Sequence, residues 1–168
     1  MRAICRWLAP LLLALSGCGT VSAQDQPERV YAVTYTVTPL PATRSARVEL
    51  RLSQNRALLR ELSMSAPSAP GSRFSDFEAD GDLDIDGDRV TWLPPAAGGT
   101  VRWTVKVAHR RYGEAYDAWM GDEWALFRAS DIIPPASTRT LKGARSQTAL
   151  QFDLPQGWSS VTEYYGRQ

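Results

Sequence analysis

Asp80, Asp82, Asp84, Asp86 and Asp88 occupy every second position of one short stretch, with Gly87 among them. From Asp82 the order is D-x-D-x-D-G. It opens like a calcium-binding loop of the EF type, which needs carboxylates at alternate positions and a glycine for the sharp turn. That loop also needs a bidentate acid at its twelfth position, and Leu93 stands there. Starting from Asp80 puts Ile85 where the glycine must be and Thr91 at the twelfth position. Neither register completes a ligand set. The same pattern fits a strand with Leu83 and Ile85 inward and Asp82, Asp84 and Asp86 in water. Asp86-Gly87 then forms a two-residue hairpin turn with Gly87 supplying the positive φ.

Other catalytic constellations fail on residue type. The chain has one histidine, His109, beside Arg110 and Arg111, and no H-E-x-x-H pair that could hold zinc. A serine triad would need His109 as its base, yet no G-x-S-x-G elbow is present. Any two acids could form a glycosidase-like pair, but no spacing singles one out. The residues therefore imply no enzyme, metal or cofactor. Charge is balanced, with 19 basic against 18 acidic residues, which argues against a nucleic-acid partner. Tyr112, Tyr116, Trp119 and Trp124 form an aromatic group in a stretch without clear period. Such a group could contact a sugar or a protein, or cap the open end of a sandwich.

Cys18 is the residue with the most specific chemistry. Arg2 and Arg6 precede the short apolar run WLAPLLLAL, about half of the ~20 residues a membrane span requires. This reads as an export signal. The run ends in Leu15-Ser16-Gly17-Cys18, which resembles the lipobox of bacterial lipoproteins. In that family the cysteine thiol takes a diacylglycerol and becomes the new N-terminus. Ordinary cleavage after Val21-Ser22-Ala23, giving a soluble periplasmic or secreted protein, is the alternative. Cys5 lies in the discarded leader, so lipidation explains an otherwise unpaired Cys18. Gly19 lacks the aspartate that resembles an inner-membrane retention signal, which favours the periplasmic side of the outer membrane.

The elements that position these residues read as strands. The chain of 168 residues suits one domain. Residues 1–17 are the signal, 18–29 a tether and 30–165 the domain. Residues 30–38 alternate with Tyr31, Val33, Tyr35 and Val37 on one face, and a Pro-containing break follows. Residues 46–53 place Val48, Leu50 and Leu52 inward. Residues 57–66 fit a strand better than a helix, and 67–77 read as a loop. Strands follow at 89–93 and 100–109, the latter with Val101, Trp103, Val105 and Val107 inward. Residues 110–124 read as an excursion over a sheet edge. A turn at Lys142-Gly143 precedes a closing strand with Leu150, Phe152 and Leu154 alternating. Short strands with frequent turn signals predict an all-β, antiparallel sandwich of about seven or eight strands.

Five stretches then fall in a suggestive order: APGSRFSDFEA (69–79), RVTW (89–92), VRWTVKVAHRR (101–111), ALF (125–127) and LQFDLPQGWSSVT (150–162). Together they resemble the N-terminal β domain of the glycyl-aminopeptidase family of zinc metallopeptidases, PDZ-containing gluzincins, over roughly residues 30 to 165. The family has a tyrosine after "PGS" where this chain has Arg73 and Phe74. The resemblance implies a β-sandwich that packs against a thermolysin-like catalytic domain. It transfers no catalytic residue, because the family's zinc ligands and glutamate belong to that later domain. Three functions are then open. The chain is a non-catalytic lipoprotein module, the leading fragment of a zinc aminopeptidase, or an envelope lipoprotein that binds protein or glycan. The final stretch VTEYYGRQ, with Tyr164 and Tyr165 still apolar, reads as a truncated or degenerate relative.

Overall fold

The computed structural model describes residues 29–68, 71–110 and 116–162, with side chains left aside at 109–110 and 116–117. Cys18, the leader, the tether before residue 29 and Tyr112 lie outside the described residues. The protein is mostly strand, as the alternation predicts. A five-stranded sheet runs in the order β12 (Arg145–Phe152), β1 (Val30–Leu40), β2 (Ser45–Ser53), β7 (Gly98–Lys106), β4 (Phe74–Ala79). A four-stranded sheet runs β11 (Ala136–Thr140), β3 (Leu59–Ser65), β6 (Arg89–Leu93), β5 (Asp82–Asp86). A small three-stranded sheet joins β10 (Ala125–Leu126), β9 (Tyr116–Met120) and β8 (His109–Arg110). One helical turn, α1 (Ala129–Ile132), follows β10.

The two larger sheets bury one continuous core. Val48, Leu50 and Leu52 of β2 and Val101, Trp103 and Val105 of β7 face it from one side, and Leu62, Met64, Val90 and Trp92 from the other. Trp92 and Trp103 are 0% and 1% exposed. A buried indole must place its N–H, and both do: Trp92 donates to the Asp80 carbonyl at 2.7 Å and Trp103 to that of Ile132 at 2.9 Å. Truncating either to alanine is expected to cost about 3–5 kcal/mol.

Three links between the sheets meet at one corner. Gln54, buried after β2, accepts the Leu58 and Leu59 N–H groups and donates to the Leu59 and Pro95 carbonyls. Asp80, between β4 and β5, donates its N–H to the Thr100 carbonyl at 2.8 Å and accepts the Thr100 N–H on its carboxylate at 2.9 Å. Gly81 has φ +88, and a Cβ there would lie 2.6 Å from the Leu93 carbonyl oxygen. Only glycine fits that combination of backbone and space.

Several expectations need correction. Among the described residues the two large sheets hold nine strands against the about seven or eight expected, the additional ones being β4, where a loop is expected, and β11, where no element is. β4 begins inside 67–77 and runs to Ala79: it pairs with β7 through a bulge between Ser75 and Glu78, with Asp76 at φ 54. β1 runs on through Pro39, which is tolerated because its missing N–H faces the side where β12 has already ended. The sandwich is not wholly antiparallel: β12 pairs parallel with β1. Residues 110–124, expected as an excursion over a sheet edge, include the last residue of β8 and the whole of β9. In the aspartate hairpin Asp86 pairs with Arg89, so the turn is Gly87-Asp88, one residue later than read. Gly87 at φ +56 before a residue of negative φ is a type II′ turn. Ile85 is 47% exposed because β5 is an edge strand with little opposite it.

The two glycines offer a direct check. Gly87→Ala meets open space and is expected to cost only the left-handed penalty, about 1–2 kcal/mol. Gly81→Ala adds a backbone collision and is expected to cost about 1–3 kcal/mol more. Equal denaturant midpoints for the two variants would contradict the corner described above.

Candidate functional site

The aspartates do not converge. Asp82, Asp84 and Asp86 spread along the outer face of β5 opposite Leu93, Thr91 and Arg89, about 6.6 Å apart in successive pairs. All three carboxylates are exposed. Among the described residues no group of three or more His, Cys, Asp or Glu could hold a metal ion. His109 lies on β8, its backbone paired with Ala118.

The aromatic group is partly assembled. Tyr116 opens β9, and Trp119 and Trp124 belong to one hairpin in which Trp119 pairs with Leu126 and Gly121 N–H donates to the Trp124 carbonyl. Ala118 and Met120 are 1% and 0% exposed, so one face of β9 closes over the core. The next residue, Trp119, is half-buried, and the Arg44 guanidinium lies 5.2 Å from its ring centroid. This is cation–π geometry. Trp124 is 56% exposed. The hairpin therefore both caps the sandwich and presents an indole to solvent.

Sequence reasoning did not identify the groove beside that hairpin. It has a volume of about 160 Å³ and lies between the ends of β1 and β12 and the β10–α1 segment. Phe127, Ile133, Phe152, Leu154 and Trp158 line it. Leu126 and Val161, 68% and 101% exposed, stand at its margin. The apolar pairs Leu126-Phe127 and Ile132-Ile133 were the available signal, but alternation alone does not say which apolar residues remain uncovered. Pro39 lines the groove too, about 30 Å along β1 from Val30. The groove and hairpin thus occupy the end of the sheet opposite the point where the N-terminal segment enters.

The outer face of the five-stranded sheet carries an ion-paired cluster around Glu49. Glu49 accepts from Arg102 Nε at 2.7 Å and from Arg51 Nη2 at 3.2 Å. The hydrogen bond from Arg102 holds the Glu49 carboxyl below its ordinary value, with Arg51 adding to it against partial burial. Burial raises the Tyr35 phenol, and neighbouring Tyr31 adds to the effect. These shifts serve packing and pairing, since neither group borders the groove.

No family model and no curated protein matches the chain. Among solved structures it is similar to the GH20 exo β-N-acetylglucosaminidase from Vibrio harveyi in complex with N-acetylglucosamine. That similarity has 12% identity and a TM-score of 0.32, covering 79% of this chain and 20% of that one. So loose a superposition assigns neither fold nor activity.

Because its folded pKa is depressed, Glu49 contributes stability above the ordinary carboxylate range and loses it as pH falls through the folded value. Glu49→Gln is expected to cost no more than about 1 kcal/mol at neutral pH, with the difference from wild type vanishing in acid. Paired melts across pH check this; a difference independent of pH contradicts the pairing.

Proposed function

We propose that this chain is an exported, lipid-anchored, non-catalytic β-sandwich module that docks a protein partner at the end remote from its tether. The observation that carries the reading is the apolar end left open among the described residues: Trp124, Leu126 and Val161 exposed around an apolar groove. Large exposed hydrophobics gathered at one place mark an interaction surface. The lipobox-like Leu15-Ser16-Gly17-Cys18 supplies the anchor. With Cys18 lipidated, the groove lies at the end of β1 opposite Val30, where an envelope protein or a catalytic domain can reach it. Among the described residues no helix is long and apolar enough to cross a membrane.

The resemblance to the N-terminal domain of glycyl-aminopeptidase-type metallopeptidases supports the same reading. Its closing Leu154-Pro155-Gln156-Gly157-Trp158 segment contributes two of the groove's walls, Leu154 and Trp158. A domain that packs beside a catalytic unit needs such an apolar face. In this reading the chain's own residues perform no chemistry: they hold the partner and fix its distance from the lipid.

Metabolic palmitate labelling is expected to mark the wild-type protein and not Cys18→Ala. A photo-crosslinking residue at position 126 is expected to give adducts in cells, and one at position 84 is not. Absence of label in both proteins would remove the anchor, and equal adducts at both positions would remove the docking end.

A further inference from the structure

The four outer strands of the two large sheets are not protected alike. An unpaired strand edge is a row of N–H and C=O groups ready to pair with another chain, and natural edges are blunted by charge, bulges or proline. β4 carries a bulge, Asp76 and Glu78. β5 carries Asp82, Asp84 and Asp86. β11 is five residues long, follows Pro134-Pro135 and has an irregularity at Arg139/Thr140. β12 has none of these devices, and among the described residues no strand pairs with its outer side. Over eight residues, Arg145–Phe152, it is regular, and Arg145 at its start is its one charged residue.

The direction of its free groups follows from two hydrogen bonds. Arg145 N–H donates to the Arg29 carbonyl at 2.8 Å and Asp153 N–H to that of Val37 at 3.0 Å. With a period of two, the odd-numbered amides face β1, and those of Ser146, Thr148, Leu150 and Phe152 face the open edge. Residues 145–149 are exposed on both faces of the sheet. The side chains of Leu150 and Phe152, on the inner face, border the apolar groove.

We infer that the free edge of β12 accepts an extended segment of a partner polypeptide as an added strand, whose inward side chains enter the groove beside Phe152. This rests on the docking reading above and names the partner's chemistry. The row of backbone donors and acceptors specifies an extended backbone, and the groove specifies apolar residues at alternate positions. Residues facing Gln147 and Gln151 on the outer face are free to be polar. The partner segment has no proline where its N–H must meet β12.

The test uses the exported protein made from the full chain and solubilised in detergent, with a fluorescently labelled heptapeptide of alternating valine and threonine. Saturable binding is expected. Thr148→Pro removes one outward N–H and no bond to β1, so it is expected to weaken binding about tenfold with an unchanged melting midpoint. Thr148→Val, which keeps the N–H, is expected to bind like wild type. Ser146→Pro applies the same logic at a second outward amide should Thr148→Pro fail to fold. No binding by wild type, or equal binding by the proline variants, overturns the proposal. So does a dimer in size exclusion that the proline variants abolish, since the edge would then belong to a second copy of the chain. Palmitate labelling and adducts at position 126 that persist in Thr148→Pro would leave the docking module standing while strand addition fails.

Discussion

The corner where Gln54, Asp80 and Pro95 meet governs the rest of the molecule. Three times the chain leaves one sheet for the other near this point, and each crossing brings backbone groups that pairing in a sheet cannot satisfy. Gln54 uses both ends of its amide to close the β2–β3 link onto Pro95. Asp80 uses backbone and carboxylate to close the β4–β5 link onto Thr100. Trp92 completes the junction from inside by donating to the Asp80 carbonyl. A buried polar group with one bond missing costs about 1–3 kcal/mol, so these contacts stand or fall together. They fix the register of β2 on β7 and of β5 on β6, and with it the faces that Trp92 and Trp103 present to the core.

The opposite end is built differently. The β9–β10 hairpin and α1 cover it through Ala118, Met120 and Ile132. Trp103 holds α1 by its bond to the Ile132 carbonyl, and Arg73 donates to the Asp131 carbonyl. The covering is incomplete, because β10 is two residues long and α1 is a single turn. The groove is the space these short elements leave. The sheet crossings closed by Gln54 and Asp80 lie where β1 begins, and the open apolar surface lies at its other end. That division follows from which crossings carry polar clamps.

Much of the fold was legible because its central strands obey a period of two. Val101, Trp103, Val105 and Val107 alternate without interruption, and all four are buried. Leu59, Leu62 and Met64 face the core although the run 57–66 gave no clean alternation, because Arg60 and Glu61 both fall between Leu59 and Leu62. Edge strands were harder to see. β4 breaks its period at a bulge, and β11 reads Ala-Ser-Thr-Arg-Thr with no apolar stripe. The aspartate stretch is a strand and turn as its pattern predicts, but the turn falls one residue later and Ile85, inward by pattern, is exposed. What lies opposite a strand is a tertiary fact, and no period reports it. The same limit hid the groove, whose walls Phe152 and Trp158 come from segments that alternation treats as ordinary core. The aromatic group was half legible, since spacing put Trp119 and Trp124 near each other while only the hairpin register separates the half-buried ring from the exposed one.

The parallel β1–β12 ladder explains why the open edge lies where it does. A parallel neighbour cannot arrive by a tight hairpin, and here Val30 pairs with Arg145, almost the whole domain away in sequence. Contacts of such separation carry the largest loop-closure cost and form after the local hairpins. Among the described residues β12 joins the sheet through β1 alone. It gains one ladder and the burial of Leu150 and Phe152, while Ser146 and Thr148 on its inner face stay in water. A strand held by one neighbour and half a face is the least protected part of either large sheet. An extended segment on its outer side would supply the second ladder and cover the groove together, because the same register that exposes the Phe152 amide directs its ring inward.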